Sequence, residues 1–152
     1  MNQIELKEFL DDKVRLYNRP EFVHDDPVSI PHEFNKKNDI EISAFLTASI
    51  AWGRRPMILK NARRIMDLLD NSPHDFILNA STNEINKSSD FCHRTFNSLD
   101  LQIFIYCLRN IYKYHHGLEA CFHTQNKDMC EGISNFKKIF FEIEHPKRTE
   151  KH

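Results

Sequence analysis

The 152-residue sequence is poor in the features that mark several large classes of protein. It has only three glycines and six prolines, too few for an all-β protein with its many tight turns. No apolar run approaches the roughly 18 residues that a membrane-spanning helix needs, and the charged amino-terminal residues lack the apolar core of a secretory signal. We therefore expect a cytoplasmic protein that does not contact the membrane.

The motifs that hold nucleotide phosphates or perform hydrolysis are missing as well. The sequence has neither of the glycine-rich loops G-x-x-x-x-G-K-[ST] and G-x-G-x-x-G. It also lacks the G-x-S-x-G, H-E-x-x-H and EF-hand patterns. No acidic residue stands in an apolar setting typical of a general acid or base. We therefore name no catalytic residue and expect no cofactor.

The four cysteines occur without a C-x-x-C pair, which is typical of a protein in a reducing compartment. Histidines and cysteines do gather between positions 115 and 130. Their spacing differs from the paired C-x₂₋₄-C and H-x₃₋₅-H patterns of structural zinc sites. We predict no metal site in this group, which comprises His115, His116, Cys121, His123 and Cys130.

What the sequence does have is a helical distribution of apolar residues. Hydrophobic residues make up 40% and charged residues 28%, and twelve phenylalanines supply bulky core side chains. Apolar residues recur at helical spacing, and no segment alternates convincingly as a strand does. We predict a single all-α domain over residues 1–152, an irregular bundle of about six or seven helices. The predicted helices cover residues 3–17, 40–52, 56–69, 73–78, 118–122 and 129–143, with a further long helix that starts near residue 98.

The stretch TASIAWGRRPMILKNARRI, residues 47–65, joins the two central helices. The helix over residues 40–52 is apolar nearly all round, which indicates a central, buried position. Gly53 can end this helix in the left-handed conformation, and Pro56 can open the next one in its first turn. The second helix is amphipathic and carries cations. The sequence thus predicts a helix-turn-helix corner with arginines at its tip.

Two interpretations of this corner are open. In the first, its cations meet the phosphates of a nucleic acid, and the second helix adds unpaired backbone N–H groups. Trp52 then either packs in the core or stacks on a base. In the second, the cations are a solvated helix face and pair with acids, as Arg63 would with Asp67. The local residues by themselves favour the second. The candidate nucleic-acid-binding residues are Trp52, Gly53, Arg54, Arg55, Lys60, Arg63 and Arg64 and, from the segment CHRTF, His93 and Arg94.

Four motifs, taken in their order along the chain, shift the preference from a solvated helix face to a nucleic-acid contact. AFLTASIAWGRRPMILKNARRIM, NSPHDFI, FCHRTFNSLDLQIF and HPKRTEKH together resemble the amino-terminal half of an uncharacterised bacterial family of conserved hypothetical proteins. The resemblance runs from about residue 6 to residue 152. The second half of that family resembles the helix-hairpin-helix DNA glycosylases. This resemblance implies that residues 42–66 form paired helices whose turn faces DNA, where such enzymes insert side chains during base flipping.

The resemblance also implies what this chain lacks. The hairpin that grips phosphate and the catalytic lysine and aspartate of glycosylases belong to the second half, and nothing here matches them. We therefore expect the amino-terminal portion of a longer two-part fold, with duplex DNA as its partner and no catalytic residue of its own. An apolar face left by the absent half would promote self-association. The charged end EIEHPKRTEKH is compatible with a mobile terminus or with the loss of a following segment.

Two other functions stay open at the level of sequence. One is a helical protein-interaction or scaffold domain, in which the basic corner has no nucleic-acid ligand. The other is a small enzyme with a pocket lined by His93, His115 and His116. The net charge of −1 does not separate these functions, because DNA binding requires clustered cations rather than a basic average.

Overall fold

The structure, a computed structural model, describes residues 2–124 and 128–152 and confirms the all-α fold. The described residues hold nine α-helices, more than the six or seven predicted. The additional ones, of four and five residues, are too short to show a periodic apolar pattern. The helices are α1 (Gln3–Tyr17), α2 (Pro20–Val23), α3 (Lys37–Ser49), α4 (Arg55–Leu68), α5 (Pro73–Asn79), α6 (Thr82–Asn86), α7 (Ser98–Tyr114), α8 (Leu118–Cys121) and α9 (Met129–Phe140). Short 3-10 turns lie at Pro27–Ser29, Pro31–Glu33, Lys87–Asp90 and Lys147–Lys151.

Helix α3 lies at the centre of the fold. Its side chains Ile42 and Leu46 are buried, as is Ile50 just beyond its end. It packs against α4, α5 and the two 3-10 turns that precede it. The helix begins and ends three residues earlier than predicted. It ends early because the backbone tightens there: the N–H of Ile50 donates to the carbonyl of Thr47, only three residues back.

Helix α7 is the second main buried element. Asn97 caps it, because its side chain accepts a hydrogen bond from the N–H of Asp100 and the Asp100 carboxylate accepts one from the N–H of Asn97. Further along the helix, Phe104 packs edge-on against Phe96 and Phe140, at ring-centroid distances of 5.1 and 4.9 Å. These aromatic contacts join α7 to α9 and to the segment before α7.

A short β-hairpin that the sequence did not predict precedes α7. Its strands, β1 (Cys92–His93) and β2 (Phe96–Asn97), pair antiparallel with His93 opposite Phe96. Arg94 lies in the turn with a φ of 57°, a left-handed conformation that is uncommon for arginine. Strands of two residues are too short to show alternation, so the apolar pattern could not reveal them.

Helix α1 differs from the other long helices, because the described part of the chain buries none of its fifteen residues. A capping box between Asn2 and Glu5 starts the helix. Its end is anchored by Tyr17, whose ring meets Phe22 of α2 edge-on at 5.5 Å. Among the described residues, no helix combines the length and apolar character needed to cross a membrane.

The basic segment around Arg148 forms a 3-10 turn that packs on the fold, so of the two alternatives left open for this segment the structure does not favour a mobile terminus. Thr149 is fully buried in its 3-10 turn and donates a 2.9 Å hydrogen bond to the Asp100 carboxylate of α7. Arg148 forms a salt bridge with the other oxygen of that carboxylate. Asp100 therefore joins the start of α7 to this segment.

Asp100 is a charged side chain without solvent exposure. Burial by itself raises the pKa of this carboxyl, but hydrogen bonds from the N–H of Asn97, from Arg148 and from Thr149 outweigh burial, and the pKa lies below its ordinary value. A pKa that is lower in the folded state means that the carboxylate stabilises the fold above its unfolded pKa. This contribution is lost as the pH falls through the folded pKa.

We predict that Asp100→Asn lowers the free energy of unfolding at neutral pH by about 2–3 kcal/mol, because Arg148 and Thr149 lose their charged acceptor. The difference from the wild type should shrink as the pH falls below about 4, the pKa of an unfolded aspartate. Urea unfolding followed by circular dichroism at several pH values measures this difference. Asp70→Asn, at an exposed position, is the control and should have little effect. Equal stability of Asp100→Asn and the wild type at neutral pH would contradict the role of Asp100.

Candidate nucleic-acid interface

The corner between α3 and α4 turns at Gly53. This residue has a φ of 122°, and a Cβ at its position would lie 3.3 Å from a guanidinium nitrogen of Arg94. The prediction placed Gly53 directly after the first helix, but α3 ends at Ser49 and three further residues precede the glycine. Helix α4 then begins at Arg55, with Pro56 in its first turn as predicted.

Trp52 lies at the surface beside this glycine, with 36% of its area exposed. The Arg94 guanidinium lies over the indole, 4.8 Å from the ring centroid. The His93 ring meets the indole edge-on at a centroid distance of 5.8 Å. The hairpin therefore supplies two side chains that hold one tryptophan in place. We call Trp52, Gly53, His93 and Arg94 the Trp52 cluster.

The structure buries His93, which corrects its predicted role as a direct contact to an anion. Its Nε2 lies 3.2 Å from the carbonyl oxygen of Trp52, and its Nδ1 lies 2.8 Å from the side-chain nitrogen of Asn61. Because a carbonyl oxygen only accepts, Nε2 donates to Trp52, and in the neutral ring Nδ1 accepts from Asn61. His93 thus connects the end of α3, helix α4 and the hairpin from inside the protein.

The solvent-facing side of α4 carries two arginines that pair with acids. Arg64 forms a 2.6 Å salt bridge with Asp90, and Arg63 lies 3.7 Å from Glu33. The salt bridge of Arg63 joins it to Glu33 rather than to Asp67, the partner that helical spacing suggested. Both pairs are at least partly exposed, so each contributes little stability and can give way to another anion.

Arg54, Arg55 and Lys60 complete the predicted cations of the corner. All three side chains are exposed. Within residues 2–124 and 128–152, neither Arg54 nor Lys60 forms a salt bridge. The Arg55 guanidinium lies over the ring of Phe22, 5.9 Å from its centroid. The corner therefore presents positive charge that is free to meet an anion.

A cavity of about 490 Å³ opens beside Trp52, between the end of α3, the hairpin and the last 3-10 turn. Small side chains at the end of α3 make room for it, and Trp52, Thr95, Lys151 and His152 line the rest. The sequence analysis did not select Thr95 or Lys151 as binding residues. Lys151 is far from Trp52 along the chain, and no spacing pattern connects the two. Only the folded chain brings this additional cation to the corner.

The three histidines of the small-enzyme alternative do not form one pocket. His93 lies before α7 and His115 directly follows it, so the length of this helix, roughly 25 Å, separates the two. His115 instead forms a 2.7 Å contact with Glu142. In the part of the chain that the structure describes, no three His, Cys, Asp or Glu side chains are arranged to hold a metal ion.

A comparison with models of known protein families identifies the family of this chain. Residues 26–152 match the model of DUF2400, which is described as a protein of unknown function. The chain belongs to the DUF2400 family. Searches of the curated proteins and of the solved structures returned no significant match. The prediction of a conserved family without an assigned function is confirmed, although the DUF2400 match starts at residue 26 and not near residue 6. It includes the corner and the hairpin, whereas α1 and α2 lie outside it.

We predict that Gly53→Ala strains the corner and displaces Arg94 from Trp52. The added methyl group would crowd the guanidinium, and alanine rarely adopts a positive φ. The free energy of unfolding should fall by about 1–2 kcal/mol. Because Trp52 is the only tryptophan in the sequence, its fluorescence emission reports the change at the cluster directly.

Ala51→Gly is the matched control, since it changes one methyl group at an exposed position two residues earlier. Its emission spectrum should resemble that of the wild type. If Gly53→Ala left both the spectrum and the stability unchanged, the geometry of the Trp52 cluster would not depend on the glycine.

Proposed function

We propose that this DUF2400 chain binds duplex DNA through the corner between α3 and α4. The observation that carries the proposal is the concentration of positive charge at the corner. From Trp52 to Arg64 the sequence has five cations and no acid, in a protein whose net charge is −1. Binding to phosphates requires such a local cluster, because the release of counterions from the DNA drives association.

The first turn of α4 adds to this positive charge. Arg54, which precedes the helix, makes no side-chain capping hydrogen bond, so the backbone N–H of Arg55 keeps its capacity to donate. Pro56 has no N–H, and the N–H of Met57 already donates to the carbonyl of Arg54. The positive end of the helix dipole lies at the same place and favours a phosphate there. In this proposal Arg54, Arg55 and Lys60 contact the DNA backbone. Arg63 leaves its exposed salt bridge with Glu33 and binds a phosphate instead.

Trp52 and Arg94 have a separate role in the proposal. The indole is exposed, yet Arg94 covers one face and His93 supports its edge. A side chain that is already held in place loses little conformational entropy when it stacks on a base. The Arg94 charge beside it is available to the phosphate of the same nucleotide. We therefore assign base contact to Trp52 and phosphate contact to the surrounding cations.

The resemblance of the family's second half to helix-hairpin-helix DNA glycosylases supports this assignment. In a glycosylase-like protein of two parts, the catalytic groups belong to the second part. This chain would then position DNA for chemistry that takes place elsewhere in the protein. We accordingly propose DNA contact, and no catalytic residue, for residues 26–152.

A second candidate function, that of a protein-interaction domain, is favoured by one observation. Helix α1 exposes large apolar side chains along its length, and a surface of this kind marks a contact with another polypeptide. This surface is distinct from the corner. Each function can therefore be tested with variants that leave the other surface intact.

The double variant Arg54→Ala/Arg55→Ala tests the DNA proposal. We expect the chain to bind a short DNA duplex with an affinity that falls linearly with salt concentration on logarithmic axes. Removing two phosphate contacts should weaken binding at low salt and reduce the magnitude of this slope by about 2. Fluorescence anisotropy of a labelled duplex, titrated at several salt concentrations, measures both quantities.

The double variant Lys36→Ala/Lys113→Ala is the matched control. It removes the same charge from the ends of α3 and α7 that lie away from the corner. Its salt slope should equal that of the wild type. Equal weakening by both double variants would attribute binding to overall charge and not to the corner. Absence of salt-dependent binding by the wild type would exclude duplex DNA as the ligand.

A further inference from the structure

The cavity of about 490 Å³ beside Trp52, which we call the Trp52 cavity, is bordered on one side by the last 3-10 turn, Lys147–Lys151. Lys151 and Trp52 therefore face one space, although almost a hundred residues separate them in the sequence. Among the described residues that line the cavity, none is acidic. A cation in such surroundings, beside an exposed aromatic ring, is suited to an anionic ligand.

The last 3-10 turn carries three cations and one acid, and its contacts decide which of these charges are free. The cation Arg148 is paired with the buried Asp100 carboxylate. The acid Glu150 lies 3.5 Å from His145 and 4.0 Å from Lys137 of α9. One cation and the acid of the turn thus already have partners away from the Trp52 cavity.

The two lysines at the ends of the turn differ in where they lie. Both side chains are exposed, and neither Lys147 nor Lys151 forms a salt bridge with any residue that the structure describes. Lys151 lines the Trp52 cavity, whereas Lys147 is not among the residues that line it. Lys151 is therefore the cation of the turn that can share a ligand with Trp52.

Buried contacts on both sides of Lys151 fix its backbone. Two residues earlier, the fully buried Thr149 donates a 2.9 Å hydrogen bond to the Asp100 carboxylate. Directly after Lys151, the His152 side chain is only 4% exposed, and its ring meets Phe96 of the hairpin edge-on at a centroid distance of 5.2 Å. The start of α7 and the hairpin thus hold the turn so that Lys151 lies at the cavity.

We propose that Lys151 binds a backbone phosphate of the DNA that the corner holds, and that Thr149 is a positioning residue that places Lys151 there through Asp100. This inference rests on the proposed DNA binding of the corner and extends that interface across the Trp52 cavity to the last 3-10 turn. The cavity separates Lys151 from the corner, so its phosphate is a different one from those at Arg54 and Arg55. A lysine that contacts phosphate adds affinity without reading the base sequence.

Lys151→Ala tests the phosphate contact. The side chain is exposed, so its removal leaves the packing of the chain intact. We expect the affinity for a short DNA duplex to fall about fivefold at low salt and the magnitude of the salt slope to fall by about 1. Lys147→Ala is the matched control, because it removes the same charge from the same turn and should keep the wild-type slope. Fluorescence anisotropy of a labelled duplex at several salt concentrations measures all three proteins.

Thr149→Val tests the positioning role without changing the charge of the protein. It removes the hydroxyl that donates to Asp100, so the turn and Lys151 lose one anchor. We expect duplex binding to weaken about threefold in the wild-type background and not to weaken further in the Lys151→Ala background. A general loss of stability would instead weaken binding equally in both backgrounds, so the double-mutant cycle separates the two causes. Circular dichroism checks that all variants are folded at the temperature of the titration.

Wild-type affinity and slope in Lys151→Ala, or an equal loss in Lys147→Ala, would overturn the proposed contact. Equal weakening by Thr149→Val in both backgrounds would overturn the positioning role. If only Arg54→Ala/Arg55→Ala weakens binding, the proposed function of the corner stands and the extension to Lys151 fails. If only Lys151→Ala weakens it, the turn binds DNA and the role of the corner fails. A wild-type chain that binds no duplex overturns both.

Discussion

The buried imidazole of His93 holds together three segments that are distant in the sequence. It donates to the carbonyl of Trp52 in the corner after α3, accepts from Asn61 of α4, and belongs to the hairpin before α7. A buried polar ring is compatible with a stable fold when both of its nitrogen atoms have partners. With both partners present, the ring fixes the corner relative to α7. The exposed pair of Trp52 and Arg94 owes its arrangement to these buried hydrogen bonds.

The chain presents two surfaces of different physical character. The corner is cationic, and the buried His93 supports its Trp52 from beneath. Helix α1 is apolar on one side and divided in charge along its length, and Tyr17 anchors its end on α2. The DUF2400 match includes the first surface but not the second.

Much of the helical architecture could be predicted from short-range signals. These signals act within a few residues of the chain. They include the apolar spacing of α7, its Asn97 cap, and the residues Gly53 and Pro56, which mark the turn of the corner and the start of α4. Similar signals missed α6, although Ser81 and Glu84 form a capping box there, because the segment has few apolar residues. They missed the hairpin because two-residue strands carry no visible alternation.

The sequence by itself determined the helices around the corner and the clustering of cations within it, because caps, turns and apolar spacing are local properties. Only the tertiary structure decided that His93 is buried, that Arg64 pairs with Asp90, and that Lys151 lies beside the cavity at Trp52. Each of these outcomes joins residues that are far apart in the sequence. Contacts of that range depend on how whole elements pack, and no local pattern of residues encodes them.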